Sequence, residues 1–271
     1  LGITPGTTVI SYTLGTGCPR LLTVTVFGLP PAIAGSPNVC VGQTTLLTNP
    51  AIGGTWTSGA TGIATIGLTS GIVSGLTVGT APITYTIGTG CVTTSFINVI
   101  PNPAPITGSP NVCLGFTTTL ANTTFGGAWS SSTPSIASVN PSTGDVLGVA
   151  TGTATITYLM PSGCYVTFPI VVNPLPPAII GSANICEGAT AILTNPATGG
   201  TWTSSNPGYA TIGASTGFVN AIAAGTTTIV YTIGSSGCFT TMNLTVDPMP
   251  TVIGGSTNIC VTTSSTLTNG L

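Results

Sequence analysis

The chain has no histidine and no lysine, and its only formal charges at neutral pH are Arg20, Asp145, Glu187 and Asp247. Ordinary soluble domains are about 25% charged; this one is 1% charged. A single arginine does not neutralise a row of phosphates, so nucleic acid and anionic membrane surfaces are excluded as partners. Nucleophilic catalysis needs a base beside the nucleophile, and none is offered here, so the chain is read as no enzyme. No apolar run approaches the ~18 residues of a membrane-crossing helix. There is no Cys-x-x-Cys pair, and without histidine the cysteines lack a mixed metal-ligand set. No metal and no cofactor are expected. Glycine pairs such as Gly53-Gly54 and Gly199-Gly200 are followed by no lysine, and read as β-turns rather than phosphate loops.

What the chain does have is repetition. Tyr12, Tyr85, Tyr158 and Tyr231 stand 73 residues apart, as do Trp56, Trp129 and Trp202. Two cysteine series, Cys18, Cys91, Cys164, Cys238 and Cys40, Cys113, Cys186, Cys260, keep the same step, with 74 in the last interval of each. A fixed period means an array of one structural unit. Arrays supply length, stiffness and multivalency more readily than a single active site. Proline-marked joints (Leu29-Pro30-Pro31, Pro101-Asn102-Pro103, Pro174-Leu175-Pro176, Pro248-Met249-Pro250) punctuate the period, and proline restricts both itself and its neighbour. The boundaries drawn from them are a partial repeat at 1–29, full repeats at 30–102, 103–175 and 176–249, and a partial repeat at 250–271. Leu1 aligns late in the repeat and Leu271 early in it. Adding the 22 residues equivalent to Thr198–Val219 brings 271 to 293, one more than four periods. This register, with no initiating Met or signal peptide, is the one expected of a processed product or a window on a longer array.

Within a repeat the apolar residues alternate. Ile83, Tyr85 and Ile87 are separated by Thr84 and Thr86. Val166, Phe168, Ile170 and Val172 share one face, as do Leu22, Val24 and Val26, and Met242, Leu244 and Val246. Alternation over short runs between glycine-rich turns marks half-buried antiparallel strands. Gln43–Thr48 reads as a strand with Leu46 inward, and Ile63–Ile66 with Ile72–Leu76 as a hairpin around Thr69-Ser70-Gly71. About seven strands and no helix-period segment predict an all-β sandwich unit. The tryptophans are read as its core rather than as sugar-stacking platforms, the tyrosines as core or core edge, and the three acids as solvated turn or joint residues.

Near-neutrality removes the self-repulsion that keeps most proteins apart. The chain therefore either associates with itself or is solvated by something else, such as glycans on Thr and Ser. The outward threonines of Thr151–Thr157 and Thr226–Thr228 fit a plain solvated strand face, O-glycan acceptors, or an ice-binding array. Asn122-Thr-Thr and Asn243-Leu-Thr carry the N-glycosylation pattern at non-equivalent positions.

Trp129-Ser-Ser-Ser-Thr-Pro-Ser-Ile-Ala-Ser-Val, then Ser-Thr-Gly-Asp-Val-Leu-Gly, then Gly152-Thr-Ala-Thr-Ile-Thr-Tyr158 resembles the bacterial immunoglobulin-like domain, group 2. With the added Val-Cys-x-Gly and Gly-Cys elements, the whole chain resembles tandem Ig-like repeats of giant secreted and cell-surface proteins of Bacteroidetes-type bacteria. The resemblance implies a tandem array of Ig-like β-sandwiches and an extracellular role as adhesin, spacer or stalk. Some members bind calcium between domains. The acidic oxygen ligands that calcium needs are missing here, so that property is not carried over.

All eight cysteines (Cys18, Cys40, Cys91, Cys113, Cys164, Cys186, Cys238, Cys260) are expected in disulfides, which implies an oxidising, extracellular setting. Two pairings stay open. Bonds within a repeat would be Cys40–Cys91, Cys113–Cys164 and Cys186–Cys238. In an Ig-like topology, however, those positions fall at opposite ends of the unit, about 20 Å apart at ~3.3 Å per residue. Bonds between neighbours would be Cys40–Cys164 and Cys113–Cys238, leaving the other four to partners outside the sequence. The functional expectation is a structural component of an extracellular bacterial filament. The alternative is a spacer stalk of a cell-surface adhesin whose binding domain lies elsewhere.

Overall fold

In the computed structural model, residues 1–269 are described. Every element among them is a strand or a turn. The chain forms two compact units. The first comprises Leu1–Ile106, Asn122–Ala128 and Thr157–Thr167; the second comprises Thr107–Ala121, Trp129–Ile156 and everything from Phe168 onward.

The first unit opens with a hairpin, β1 (Gly6–Thr13) and β2 (Pro19–Val26), paired antiparallel from Gly6↔Val26 to Thr13↔Pro19. An Ig-like sandwich follows: β3 (Ala34–Gly35), β4 (Asn38–Cys40), β5 (Thr44–Thr48), β6 (Thr55–Ser58), β7 (Ala64–Ile66), β8 (Ile72–Gly75), β9 (Gly79–Thr86) and β10 (Val92–Ile100). One sheet has the order β4-β10-β9-β6 and the other β3-β5-β8-β7. The single first strand read from the sequence is two strands in different sheets: β3 pairs antiparallel with β5, and β4 pairs parallel with β10. The switch falls at Gly35-Ser36-Pro37. Gly35 has φ +131°, and a Cβ there would lie 2.5 Å from the Leu46 carbonyl oxygen. Ser36 Oγ accepts from the Asn38 amide at 3.2 Å, and Pro37 has no amide to donate.

The core between the sheets gathers Val39, Leu47, Trp56, Ala64, Val73, Ala81, Ile83, Tyr85, Ile97 and Val99. On β5 the inward leucine is Leu47, 4% exposed, and Leu46 faces solvent at 54%. This corrects the sequence reading, which was one residue out of register; a one-residue slip exchanges the two faces of a strand. Leu120 and Leu193, one and two periods on, are buried like Leu47, whereas the Leu46 position becomes Thr119 and Ile192. Elsewhere Ile83 and Tyr85 are buried on β9, and Ile170 and Val172 are buried in the equivalent of β10, whereas Leu22 and Tyr12 of the first hairpin, read as inward and core, are 64% and 68% exposed.

The pattern recurs with β11 (Asn111–Cys113), β12 (Thr117–Thr119), β13 (Ala128–Ser131), β14 (Ala137–Val139), β15 (Asp145–Gly148), β16 (Gly152–Leu159) and β17 (Tyr165–Asn173). It recurs again with β18 (Asn184–Cys186), β19 (Thr190–Ile192), β20 (Gly200–Ser204), β21 (Ala210–Ile212), β22 (Phe218–Ala221), β23 (Gly225–Ile233) and β24 (Phe239–Asp247). Sheet orders β11-β17-β16-β13 and β18-β24-β23-β20 repeat that of the first sandwich. In the second unit the core holds Ile185, Leu193, Trp202, Val219, Ile229, Tyr231, Leu244 and Val246, among others. A short pair, β25 (Ile253–Gly254) and β26 (Thr268–Asn269), closes the described chain. The protein is thus a tandem array of Ig-like β-sandwiches with a 73-residue repeat.

Candidate functional site: the junction cysteines

Two features at the proline joints recur with the period. Asn49 donates from Nδ2 to the Pro31 carbonyl at 2.7 Å and accepts from the Ala51 amide at 3.0 Å. Asn122 does the same with Ala104 and Thr124, and Asn195 with Pro177 and Ala197. Each asparagine ties the chain leaving a joint to a turn of the sandwich it enters. The Asn122 amide is thereby already engaged at both ends, so a glycan on its nitrogen would break the tie. Beside it, the tyrosine of each repeat donates to a loop carbonyl: Tyr85 to Ala51 at 2.5 Å, Tyr158 to Thr124 at 2.6 Å and Tyr231 to Ala197 at 2.6 Å. Each phenol oxygen also accepts from the amide of Gly54, Gly127 or Gly200. A Cβ on Gly54 would sit 2.4 Å from the Tyr85 ring, which is why glycine stands there. These asparagine ties were not anticipated from the sequence, although the 73-residue spacing of Asn49, Asn122 and Asn195 is visible in it.

The cysteines fall into two structural kinds. Cys40, Cys113, Cys186 and Cys260 each follow an Asn-x dipeptide and accept, through the carbonyl, a turn amide three residues on: Gln43, Phe116, Ala189 and Thr263. Cys18, Cys91, Cys164 and Cys238 follow a glycine at the turn into the last strand. The Met160 amide donates to the Cys164 carbonyl at 2.8 Å and the Ile87 amide to that of Cys91 at 3.1 Å.

Within the first unit, Cys40 is bonded to Cys164; within the second, Cys113 is bonded to Cys238. Their Cα–Cα distances are both 5.6 Å, inside the range a disulfide requires. Each bond joins an Asn-x-Cys cysteine to the Gly-Cys cysteine of the next repeat, 124 or 125 residues on. Of the two pairings left open by the sequence, this is the one between neighbours. The physical reason is the parallel β4–β10 pairing: Cys40 is opposite Ile100, the end of the last strand, while Cys91 lies before that strand's beginning. Cys164 and Cys238 are fully buried in their bonds. Near the second bond, the rings of Phe116 and Phe239 meet at a tilt of 59° with centroids 5.8 Å apart. Cys18, Cys91, Cys186 and Cys260 are free thiols.

The remaining candidates are placed as follows. Trp56, Trp129 and Trp202 are buried and offer no stacking face to a sugar, which removes the direct carbohydrate-binding alternative through these residues. Trp56 packs against Tyr85 at 4.6 Å, and Trp202 against Tyr231 at the same distance. Thr84 and Thr94 share a hydroxyl contact across β9 and β10 on an exposed face. Asp145 accepts from the hydroxyls of Thr119 and Thr143, each at 2.6 Å, and these bonds, Thr119 first, hold its carboxyl below its ordinary pKa of 3.8. Glu187 and Asp247 meet through their backbones, the Glu187 amide donating to the Asp247 carbonyl at 2.9 Å. Among the described residues no group of three His, Cys, Asp or Glu side chains is placed to hold a metal. Among the described residues no helix is long and apolar enough to cross a membrane.

No curated protein matches the chain in sequence. Among solved structures, the chain is similar to the surface-layer protein SbsC, domains 1–6, with a TM-score of 0.26 and 18% identity over 93% of this chain and 46% of that one. It is similar to invasin, a bacterial integrin-binding protein, with a TM-score of 0.35 and 16% identity over 90% of this chain and 65% of that one. Drosophila N-cadherin EC1-3 matches with a TM-score of 0.25 and 13% identity, over 75% and 91% of the two chains. The chain therefore spans about half to two thirds of the length of the first two. Residues 109–163, the stretch that holds Trp129 and Tyr158, match the family model of the bacterial Ig-like domain, group 2.

Proposed function

We propose that the chain is a structural component of an extracellular bacterial filament built from disulfide-joined Ig-like repeats. The observation that carries this reading is that both disulfides join neighbouring repeats rather than the two sheets of one repeat. A bond within a sandwich stabilises that sandwich alone. A bond between neighbours also limits bending at the proline joint and transmits tension past it. Each is worth about 2–4 kcal/mol against unfolding. Disulfides persist in oxidising compartments, which supports an extracellular or cell-surface location.

The near absence of charge suits close lateral packing. Chains with a formal net charge of −2 per 271 residues approach one another with little repulsion, and exposed threonine ladders and apolar side chains such as Phe96 and Phe125 supply contacts. Glycans on the outward Thr and Ser faces are the second way of solvating such a surface.

Electron cryomicroscopy of native material tests the proposal. Continuous filaments of stacked repeats, whose bundling is insensitive to salt, support it. Isolated flexible projections ending in a distinct domain would replace it with an adhesin stalk, and bundles that dissociate in high salt would contradict uncharged packing.

A further inference from the structure

The four free thiols are not equivalent to one another, and two of them lie in surroundings the bonded cysteines already define. Cys91 occupies the turn that Cys164 and Cys238 occupy one and two repeats on. Its carbonyl accepts from Ile87 as theirs accept from Met160 and Ile233. Its sulfur lies 4.0 Å from the Phe27 carbonyl oxygen at the end of the β1–β2 hairpin. Phe27 is one period before Ile100, the residue that Cys40 faces across the parallel β4–β10 pairing. The neighbour that would face Phe27 is lacking among the described residues: β10 is paired on both edges, by β9 and β4, whereas β2 is paired by β1 alone.

Cys186 presents the other half of the same geometry. It faces Asp247 across a parallel pairing, and the next amide, that of Glu187, donates to the Asp247 carbonyl at 2.9 Å. Cys40 with Val41 and Ile100, and Cys113 with Leu114 and Asn173, make the same arrangement, and both are bonded. Cys186 differs only in being exposed and free.

We infer that Cys91 and Cys186 are open halves of two further inter-repeat disulfides. The partner of Cys91 is the cysteine of an Asn-x-Cys strand that docks parallel to β2 beside Thr25–Phe27. The partner of Cys186 is a Gly-Cys turn cysteine of the following repeat. Both partners come from a second copy of this chain. The chain itself has one further thiol of each kind, Cys260 and Cys18. The register agrees: Cys260 of one copy with Cys91 of the next, and Cys186 with Cys18, reproduce the internal pairings. The inference extends the proposed filament but rests on the two observed bonds and the open edge of β2, not on filament formation.

Bond formation uses a small disulfide oxidant of the glutathione class. The Cys91 thiolate attacks the oxidant, releasing one thiol and leaving a mixed disulfide; the incoming cysteine thiolate displaces the second thiol. Two protein thiols and one small disulfide become one protein disulfide and two small thiols, which carry the two protons.

The test is to equilibrate the 271-residue chain in a glutathione redox buffer, digest it with pepsin without reduction, and identify linked peptides by mass spectrometry. Pepsin is needed because the chain has one tryptic site, Arg20. The expected result is Cys91 linked to Cys260, in about tenfold excess over Cys91–Cys91 or Cys91–Cys18, because docking of the strand raises the local thiol concentration. Cys91→Ser abolishes that link and leaves Cys40–Cys164 and Cys113–Cys238 in place, which shows that the variant folds. Cys91 remaining alkylatable, or linked without preference, overturns the inference.

In native material, a ladder on unreduced gels that collapses on reduction identifies a second copy as the source. Unchanged mobility with Cys91 bonded to an Asn-x-Cys peptide of the same polypeptide overturns the second copy as its partner. Native Cys91 found as a free thiol also overturns the inference. Absence of filaments with Cys91 bonded as expected would defeat the filament reading alone.

Discussion

β1 (GTTVISYT) and β9 (GTAPITYT) are alike one period apart, and the β1–β2 hairpin and the β9–β10 pair have the same register, Gly6↔Val26 in one and Gly79↔Val99 in the other. Their burial differs sharply. Tyr85 is 5% exposed and Tyr12 68%; Ile83 is 0% exposed and Ile10 54%. Strand pairing is thus a local product of alternation and a glycine turn. Burial is not, since it comes from β4, β6 and the facing sheet, which the hairpin lacks among the described residues. The phenol of Tyr85 is held between Ala51 and Gly54 because those loops exist beside it.

The largest effect that sharpens this comparison is removal of the paired aromatics. Trp56→Ala or Tyr85→Ala empties a packed core position and is expected to cost about 3–5 kcal/mol, measured by denaturant unfolding. Tyr12→Ala, at the equivalent place in the hairpin, is expected to change stability by less than about 0.5 kcal/mol. Equal losses at Tyr12 and Tyr85 would break the comparison.

Next in size is the bond at the joint. In the dilute chain, where no second copy reaches Cys18, Cys164→Ser is expected to lower stability by about 2–4 kcal/mol, and the same change at Cys18 to leave it unaltered. A loss at Cys18 as large as that at Cys164, in the same unfolding measurement, would count against the assignment of free and bonded thiols.

Smaller still is the hydroxyl of the buried tyrosine. Tyr85→Phe leaves the Ala51 carbonyl and the Gly54 amide without their partner, at about 1–3 kcal/mol. Tyr12→Phe is expected to be silent in the same thermal melts.

The smallest effect is electrostatic. Thr119 and Thr143 donate to the ionised Asp145 and depress its pKa. A carboxylate whose folded pKa is depressed contributes stability above its unfolded pKa, and that contribution disappears as pH falls through the folded value. Thermal melts should therefore show a loss below about pH 3.8 that Asp145→Asn lacks. The group is exposed, so the change is slight; a larger pH dependence in Asp145→Asn than in the parent would contradict the assignment.

How much of this was legible beforehand follows the same division between local and distant causes. The period, the strand alternation, the β7–β8 hairpin and the buried tryptophans are written in neighbouring residues. Leu46 and Leu47 are adjacent leucines that fit either face, so the local pattern does not say which of them points inward. Only the comparison of Leu47 with Leu120 and Leu193 distinguishes them. The splitting of the first strand between sheets depends on Gly35 and on where β5 and β10 lie, and no local pattern announces it. The cysteine pairing was undecidable for a plainer reason. Cys91 and Cys164 are the same position in consecutive repeats, so spacing treats them alike; only the path of β10 from one end of the sandwich to the other tells them apart.

The central claim is that disulfides join neighbours. Free-thiol alkylation of dilute Cys40→Ser chain, read out by peptide mass, tests it most directly. The account predicts that the substitution releases Cys164 as the newly labelled thiol. Release of Cys91 instead would mean that the bond lies within one repeat, and would contradict it.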